Sequence, residues 1–467
     1  MGHGRAEIEL TVRGRVVLPD RVLADGFVAV AGGRIISVGD VAAGAAIPQA
    51  RRAIAAAESY VLPGVVDTHV HTRSEPAEGI TRCTAAAVAG GVTTIADMPY
   101  DEPSAVPDLE TFRRKVADVA NEAVGDVALY GTIRKEGGLD EIERLAAAGA
   151  CAFKLSTYES DPIRFPRIPD GEMLDAFRRI AATGLPVAVH CENQDIVDRA
   201  SARARAAGAT EPMAHCRTRP PVSETEAVAR VLELAYDAGA RVHIVHASVP
   251  RSFDLVERYR RDGVRATAET CIQYLVLDES AMERLGPFGK INPPLRRRED
   301  VDSLWRYLGT GRIDQVTSDH APWSLAHKTN RKDIFANGSG APGVETLLPL
   351  LFDAGVASDR ITITDLARLL CEHPARNFGL FPRKGVLLPG SDGDVVVFDP
   401  RAAWTVRGAD LHSAVGWTPY EGMSLRGRVD VTVVRGRVVY EDGKVVAEPG
   451  TGEFVPRVRG DPPAPGA

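Results

Sequence analysis

The sequence lacks the features that would tie it to a membrane or to nucleic acid. No apolar run is long enough to cross a bilayer, and the N-terminal residues lack the apolar core of a secretion signal. The net charge is −7, so no basic excess attracts nucleic acid or an anionic membrane surface. We therefore expect a cytoplasmic protein.

Cysteine is scarce, and its spacing argues against disulfide or thiol chemistry. The 467 residues contain 6 cysteines, and no two of them form a CxxC pair. Without a secretion signal, such cysteines are expected to be reduced and mostly buried. Cys191 follows His190, but neighbours in a strand point to opposite faces, so we predict no catalytic role for this thiol.

The middle of the chain alternates short apolar strands with amphipathic helices. Eight candidate strands are YVLPGVVD, VTTIADM, VALYGTI, CAFKLS, PVAVHC, RVHIVHA, VRATAET and DQVTSD. Strands and helices in this alternation predict an α/β fold of the (β/α)₈ or TIM-barrel type. A doubly wound sheet is the alternative, but no Gly-rich phosphate loop follows any of these strands.

Both ends of the chain are rich in β-type runs, which predicts a second, smaller unit. We expect residues 1–58 and 383–455 to meet in a small β-sandwich beside a catalytic barrel formed by residues 59–382. Residues 456–467 are rich in Pro and Gly and are expected to form a loose tail.

The first barrel strand ends in three protonatable residues at a spacing of two. Asp67, His69 and His71 follow the apolar run LPGVV, and alternation along a strand points all three in one direction. Two imidazoles on one face repel each other when protonated but share a cation readily when neutral. We predict that the two histidines bind a metal and that Asp67 orients one of them.

Four later strands also end in ionisable residues. Lys154, His190, His246 and Asp319 stand at or just after the ends of the fourth, fifth, sixth and eighth candidate strands. Each alone has an ordinary explanation, such as a hydrogen-bonded core histidine or an aspartate that caps a helix. Because chemistry in these barrels lies at the C-terminal ends of the strands, all of them together predict a metal site.

Two further histidines receive no role in that site. His243 lies three residues before His246, and this spacing in a strand predicts that it faces outward and is structural. His320 follows Asp319, so we expect its side chain to point away from the metals.

Several motifs together resemble a known family over nearly the whole chain. PGVVDTHVH, GGVTTIADMP, AFKLS, VAVHCEN, VHIVHAS, INPPLR, SDHAP, GAPGVET and LLPGSDGDVVVFD are similar to motifs of the cyclic amidohydrolases, the group of dihydroorotase, hydantoinase and allantoinase. The motifs are most similar to those of L-hydantoinase- and allantoinase-type members. The resemblance implies a hydrolase that opens the cyclic amide C–N bond of a ureide ring, and often a homodimer or homotetramer.

The resemblance also implies two divalent metal ions, with zinc as the default. His69, His71 and Asp319 would hold one ion and His190 and His246 the other, with Lys154 as a bridging N6-carboxylysine. Two ions in such sites share a water and lower its pKa from about 15.7 toward 7, which provides a bridging hydroxide. Asp319 would accept its proton and pass it to the leaving nitrogen.

Four residues are candidates for substrate contacts by the same resemblance. Arg73 matches the carboxylate-binding arginine of dihydroorotases, although a loop arginine paired with Glu75 explains it equally well. Tyr158 would meet the developing oxyanion, or else pack on the rim. The backbone N–H and C=O groups of Asn292 and Gly340 would hold the imide edge of the ring.

Three alternative functions remain open. A dihydroorotase is disfavoured because Glu102 and Trp323 replace the asparagine and histidine expected there, and a glutamate would repel a substrate carboxylate. A non-catalytic scaffold of the same fold would lack ligands that are present here. A deaminase would bind one metal and would not need Lys154.

Overall fold

A computed structural model describes residues 7–458 of the chain, which begins with four strands. These strands are β1 (Leu10–Val17), β2 (Val22–Ala31), β3 (Arg34–Asp40) and β4 (Arg52–Pro63). In β1 the residues that are not buried are Arg13 and Arg15, and their spacing of two points both to one face of the strand.

Eight parallel strands follow, hydrogen-bonded in the order of the sequence. They are β5 (Val65–Val70), β6 (Val92–Asp97), β7 (Asp126–Gly131), β8 (Ala152–Ser156), β9 (Pro186–His190), β10 (Arg241–Ile244), β11 (Ala266–Cys271) and β12 (Gln315–Thr317). Nearly all of their residues are buried, which is typical of parallel strands covered by helices. All eight predicted strands are present, and the predicted (β/α)₈ barrel is confirmed.

Helices connect the barrel strands and cover them. They are α1 (Gly79–Ala89), α2 (Leu109–Glu122), α3 (Glu141–Ala148), α4 (Asp170–Thr183), α5 (Gln194–Ala206), α6 (Pro212–Thr218), α7 (Pro221–Ala238), α8 (Pro250–Arg261), α9 (Gln273–Val276), α10 (Ala281–Leu285), α11 (Arg298–Gly309), α12 (Leu347–Leu351), α13 (Ile363–Ala367) and α14 (His373–Asn377). Local sequence sets several of their starts. Asp108, for example, caps α2 by accepting the backbone N–H of Thr111 at 3.0 Å.

The barrel closes where its last strand meets its first. The segment after β12 forms a parallel bridge between His320 and Val70, and the backbone N–H of His71 donates to the His320 carbonyl at 2.8 Å. This closure sets Asp319 beside the end of β5, where His69 and His71 lie.

The two ends of the chain build a second sheet, as predicted. Strands β13 (Val395–Thr405), β14 (Ser424–Val434), β15 (Arg437–Glu441) and β16 (Lys444–Val445) join the first four in the order β16-β15-β14-β13-β4-β1-β2-β3. The junction pairs β13 with β4 in antiparallel register, with Val395 opposite Pro63. The sheet has its own apolar core, which includes Val12, Val28 and Val433.

The segment after the second sheet returns to the barrel. The backbone of Val127 in β7 donates to the Glu453 carbonyl at 2.9 Å and accepts from Val455 at 2.8 Å. Val458 donates its N–H to the Gly379 carbonyl at 2.9 Å. Positions 459–467 of the predicted tail lie outside the described residues, and the predicted domain boundaries stay a prediction.

The cysteines form no disulfides, and the helices are not of the membrane-spanning type within residues 7–458. All six cysteines are buried and form no disulfide, and burial raises the pKa of Cys191. No helix within residues 7–458 has the length and apolar character needed to span a bilayer.

A buried lysine joins the second sheet to the barrel. Lys384 Nζ lies 2.5 Å from Asp126 of β7, 2.9 Å from Asp392 and 2.8 Å from Asp394, the last two of which directly precede β13. The lysine and the aspartates are almost fully buried. Removal of the cation would therefore leave three carboxylates without it in a low-dielectric interior.

We predict that Lys384→Met lowers the free energy of unfolding by about 3–5 kcal/mol, the cost of breaking a buried ion pair. Chemical denaturation measures this change. The control is Arg114→Ala, which removes an exposed pair with Glu110 and should cost less than about 1 kcal/mol. Equal unfolding midpoints for the two variants would contradict the role given to Lys384.

Candidate metal centre

The six predicted metal ligands come together at the C-terminal ends of the barrel strands. They line one cavity of about 400 Å³, and five different strands supply them: His69, His71, Lys154, His190, His246 and Asp319. This is the position at which barrel enzymes carry their chemistry.

The first cluster contains two histidines and an aspartate. Asp319 Oδ1 lies 3.2 Å from His69 Nε2 and 3.6 Å from His71 Nε2, and one donor atom from each of the three lies within 4.8 Å of the others. Burial lowers the pKa of His69 to about 4 and that of His71 to about 3. Both rings are therefore neutral at pH 7 and offer lone pairs to a cation.

The second cluster is a pair of facing imidazoles. His190 Nδ1 lies 2.9 Å from His246 Nε2, while His190 Nε2 lies 2.9 Å from a carboxylate oxygen of Glu192. Because that carboxylate accepts the Nε2 proton, Nδ1 of His190 carries a lone pair toward His246. Burial lowers the pKa of His246 well below its usual value, so this ring is neutral too.

Lys154 lies beside the first cluster. It is buried, and its Nζ lies 3.4 Å from His69 Nε2. Burial lowers the pKa of this amine to about 8, which leaves a substantial neutral fraction at pH 7. A lysine of this kind can act as a nucleophile, whereas an ordinary surface lysine is almost fully protonated.

The donor set fits divalent cations. It combines neutral imidazoles with a carboxylate, the ligands preferred by zinc and similar ions. In addition, Nδ1 of His71 and Nδ1 of His246 are buried without a hydrogen-bond partner. The nitrogens of these two rings nearest Asp319 and His190 are instead Nε2 of His71 and Nε2 of His246, so the fit to a divalent metal rests on the neutral imidazoles and the carboxylate themselves.

Two of the six candidate ligands have a strained backbone. His246 has φ of 40° and Asp319 has φ of 47°, in the left-handed region that residues with a side chain seldom adopt. Such a conformation costs about 1–3 kcal/mol and is concentrated at functional sites. It redirects each side chain just after its strand ends.

His243 does not face outward, so that prediction was wrong. It is fully buried, with Nδ1 2.7 Å from Thr267 Oγ1 and Nε2 3.1 Å from Glu269 Oε2. The prediction assumed strand alternation from His243 to His246. However, β10 ends at Ile244 and His246 is left-handed, so the alternation does not extend that far.

Glu269 is the central residue that the sequence analysis missed. Its carboxylate contacts His69 Nδ1 at 2.5 Å, His243 Nε2 at 3.1 Å, Gln315 Nε2 at 3.0 Å and the backbone N–H of His246 at 3.2 Å. Burial alone would raise its pKa, but the adjacent histidines hold the pKa well below its usual range. The sequence did contain a signal for Glu269. An acidic residue inside the apolar strand VRATAET indicates a buried functional group, just as the lysine in CAFKLS does.

Asp67 acts on the backbone and not on a histidine ring. Its Oδ1 accepts the N–H groups of His69 at 3.2 Å and Ser318 at 3.3 Å, and burial raises its pKa to about 7. It thereby ties the end of β5 to the segment after β12. Glu269 holds the ring of His69, the task predicted for Asp67.

Arg73 lies away from the cavity, which contradicts its predicted contact with substrate. Its guanidinium pairs with Asp118 at 2.6 Å and Glu122 at 3.0 Å, both on α2. The alternative partner, Glu75, instead accepts the backbone N–H of Ser324 at 2.9 Å. Arg73 is thus a paired loop arginine, as the alternative interpretation had it, but its partners are on α2 and Glu75 was the wrong partner.

The other three candidates for substrate contacts, Tyr158, Asn292 and Gly340, line the cavity. Asn292 Oδ1 is buried and has no hydrogen-bond partner in the protein, so it is available to a ligand. The N–H of Gly340 already donates to the Lys290 carbonyl at 2.9 Å, and its C=O accepts from Lys328 Nζ at 2.9 Å. The predicted N–H contact of Gly340 with substrate is thus contradicted.

Glu102 and Trp323 differ in their relation to the cavity. Trp323 lines it, and its Nε1 donates to the Ser339 carbonyl at 3.0 Å. Glu102 does not line it, and its carboxylate lies 2.8 Å from Nη1 of Arg164, which does. The expected repulsion between Glu102 and a substrate carboxylate is therefore not supported, because this charge is paired.

The chain is similar to known amidohydrolases over most of its length. The model of the amidohydrolase family matches residues 60–439. An L-hydantoinase of Paenarthrobacter aurescens is 36% identical over 414 residues, which cover 88% of this chain and 90% of the relative. An allantoinase of Rubrobacter xylanophilus is 38% identical over 452 residues, covering 96% of this chain and 97% of the relative.

Solved structures of hydantoinases are also similar to this chain in fold. An L-hydantoinase (dihydropyrimidinase) from Arthrobacter aurescens superposes with a TM-score of 0.93 and 34% identity, covering 96% of this chain and 100% of that chain. A D-hydantoinase superposes with a TM-score of 0.90 and 32% identity, covering 96% and 99%.

We predict that Glu269→Gln weakens the binding of divalent metal about 10- to 100-fold, the usual effect of removing a carboxylate that orients a metal-binding histidine. The reason is that His69 loses the anion that fixes its Nδ1 proton. Metal retained after dialysis against graded chelator measures the change. Glu372→Gln, which alters a pair with Arg376, is the control and should retain metal like the parent protein. Equal retention by both variants would refute the prediction.

Proposed function

The chain belongs to the amidohydrolase family, and from this premise we propose that it hydrolyses the cyclic amide C–N bond of a ureide ring of the hydantoin or allantoin type. One observation carries the proposal. Six side chains suited to metal chemistry meet in a single cavity, in a chain that is similar over almost its whole length to a hydantoinase and an allantoinase.

We assign two divalent ions to the centre, with zinc as the default. His69, His71 and Asp319 would hold one ion and His190 and His246 the other, with the carboxylated side chain of Lys154 between them. When bound, two such ions lower the pKa of a water and polarise the ring carbonyl as Lewis acids.

Lys154 reaches its carboxylated form through its neutral amine. Its pKa of about 8, set by burial, makes that amine available at neutral pH. The nitrogen attacks the carbon of CO₂, a C–N bond forms and one proton leaves to solvent. The product is an anion with two oxygens, which replaces a buried positive charge by a ligand.

Asp319 is the proton carrier in this proposal. It lies against both histidines of the first cluster, and burial raises its pKa above that of an ordinary aspartate, which makes it a better base. Asp319 accepts a proton from the attacking water and donates it to the ring nitrogen as the C–N bond breaks. The nitrogen stays attached to the opened chain, so no ammonia is released.

Tyr158 and Asn292 are the proposed substrate contacts. Tyr158 lines the cavity with its ring centroid 6.2 Å from that of His190, and its hydroxyl is the proposed donor to a developing oxyanion. Asn292 would contact the imide edge of the ring through its backbone N–H and C=O, and its carboxamide oxygen is also buried without a hydrogen-bond partner. Gly340 can contribute only its carbonyl, because its N–H is occupied.

The alternative functions fit the cavity less well. A dihydroorotase needs a cation for the substrate carboxylate, but Arg73 lies elsewhere, and the arginines that line the cavity, Arg164 and Arg219, are paired with Glu102 and Glu192. A deaminase has no use for Lys154. A non-catalytic scaffold does not require six metal-binding side chains in one cavity. Assembly as a homodimer or homotetramer and a cytoplasmic location stay predictions.

A substrate panel tests the proposal. Protein loaded with metal in the presence of bicarbonate is expected to open hydantoin or allantoin without releasing ammonia, measured by ring absorbance and an ammonia assay. The panel includes both enantiomers of a 5-substituted hydantoin, dihydrouracil and dihydroorotate. Turnover of dihydroorotate alone, or release of ammonia, would overturn the assignment.

We predict that Lys154→Ala abolishes turnover, because the anionic ligand between the two clusters is lost. Short-chain carboxylates such as acetate should restore part of the rate by occupying the space that the side chain leaves. Lys135→Ala, which removes an exposed lysine paired with Glu159, is the control and should behave like the parent protein. Full activity of Lys154→Ala would refute the carboxylated lysine.

A further inference from the structure

A buried arginine outside the barrel strands contacts two parts of the site. Arg219 directly follows α6, and its guanidinium carbon lies 4.5 Å from the ring centroid of Tyr158. Its Nη1 lies 2.5 Å from Glu192 Oε2. Arg219 is 6% exposed and lines the cavity, although it belongs to neither ligand cluster.

Glu192 also contacts His190, one of the candidate metal ligands. The same oxygen, Oε2, that pairs with Arg219 accepts from His190 Nε2 at 2.9 Å, and Glu192 is fully buried. A carboxylate in this position fixes the tautomer and the ring orientation of a histidine, because only the other ring nitrogen keeps a lone pair. Here that nitrogen is Nδ1, which faces His246.

We propose that Arg219 is a positioning residue that holds Tyr158 through its ring face and His190 through Glu192. One guanidinium thus fixes the proposed oxyanion donor and one ligand of the second cluster relative to each other. The inference rests on the proposed function for the role of Tyr158, but the link to His190 rests on the contacts alone.

Arginine suits this position better than lysine does. Its planar guanidinium can stack on an aromatic ring with one face while its edge donates to a carboxylate. A lysine ammonium is a point charge on a flexible stem, so it can pair with Glu192 but cannot also hold the ring of Tyr158 in place.

The surrounding backbone is held independently of the Arg219 side chain. Thr157 Oγ1 donates to the carbonyls of His190 and Glu192 at 3.0 and 2.9 Å, which joins the segment carrying Tyr158 to the end of β9. Arg296 Nη1 donates to the Arg219 carbonyl at 2.6 Å. Variants of the side chain therefore retain the local path of the chain.

A double-mutant cycle tests the link to Tyr158. Arg219→Met is expected to lower kcat about 10- to 100-fold with little change in KM, as is typical for loss of an outer-shell partner. In the Tyr158→Phe background the same substitution should cost several-fold less, because the hydroxyl it positions is gone. An equal loss in both backgrounds would overturn this half of the proposal.

Metal retention tests the link to His190 without substrate. Arg219→Met should lose metal at about tenfold lower chelator concentration than the parent. Arg219→Lys keeps the charge beside Glu192 and should retain metal while kcat falls. Arg164→Met is the matched control, because Arg164 also stacks on a tyrosine and pairs with a glutamate, but that glutamate, Glu102, is not the partner of a histidine as Glu192 is.

The outcomes separate the two proposals. Equal metal retention by Arg219→Met and Arg164→Met would overturn the link to His190. If the parent protein opened no cyclic ureide, the proposed function would fail, and the retention series would still decide whether Arg219 positions His190.

Discussion

The contact between the first and last barrel strands is the constraint on which the site depends. The bridge between Val70 and His320 and the hydrogen bond from His71 to the His320 carbonyl close the barrel. They set Asp319 against His69 and His71, although about 250 residues separate these groups in the chain. A shift of one residue in this register would turn the carboxylate away from the imidazoles.

The buried carboxylates Glu269 and Glu192 each have side-chain partners at the site. Glu269 holds His69 and His243 inside the barrel, and Glu192 holds His190 and Arg219 at its rim. Burial of such groups is costly unless they are hydrogen-bonded, so these networks define one arrangement of the ligands. Lys154 is the exception, because burial favours its neutral and reactive form.

The barrel and the six candidate ligands could be predicted because both follow from strand positions. Their spacing in sequence and the end of each strand suffice to bring the six residues to one rim. The errors arise where the direction or the partner of a side chain depends on local backbone conformation or on a residue distant in sequence. His243 was assigned to the wrong face because a left-handed residue breaks the alternation after β10. Arg73 and the N–H of Gly340 were misassigned because their partners, Asp118 and Lys290, lie on other elements and leave no signal in the local sequence.

The central claim is that the two clusters and the lysine between them form one centre for two divalent ions. Elemental analysis of catalytically active protein, purified without chelator and with bicarbonate present, tests it most directly. The account predicts two divalent ions per chain, lost together with activity on chelation. Active protein that holds one ion per chain, or none, would contradict it.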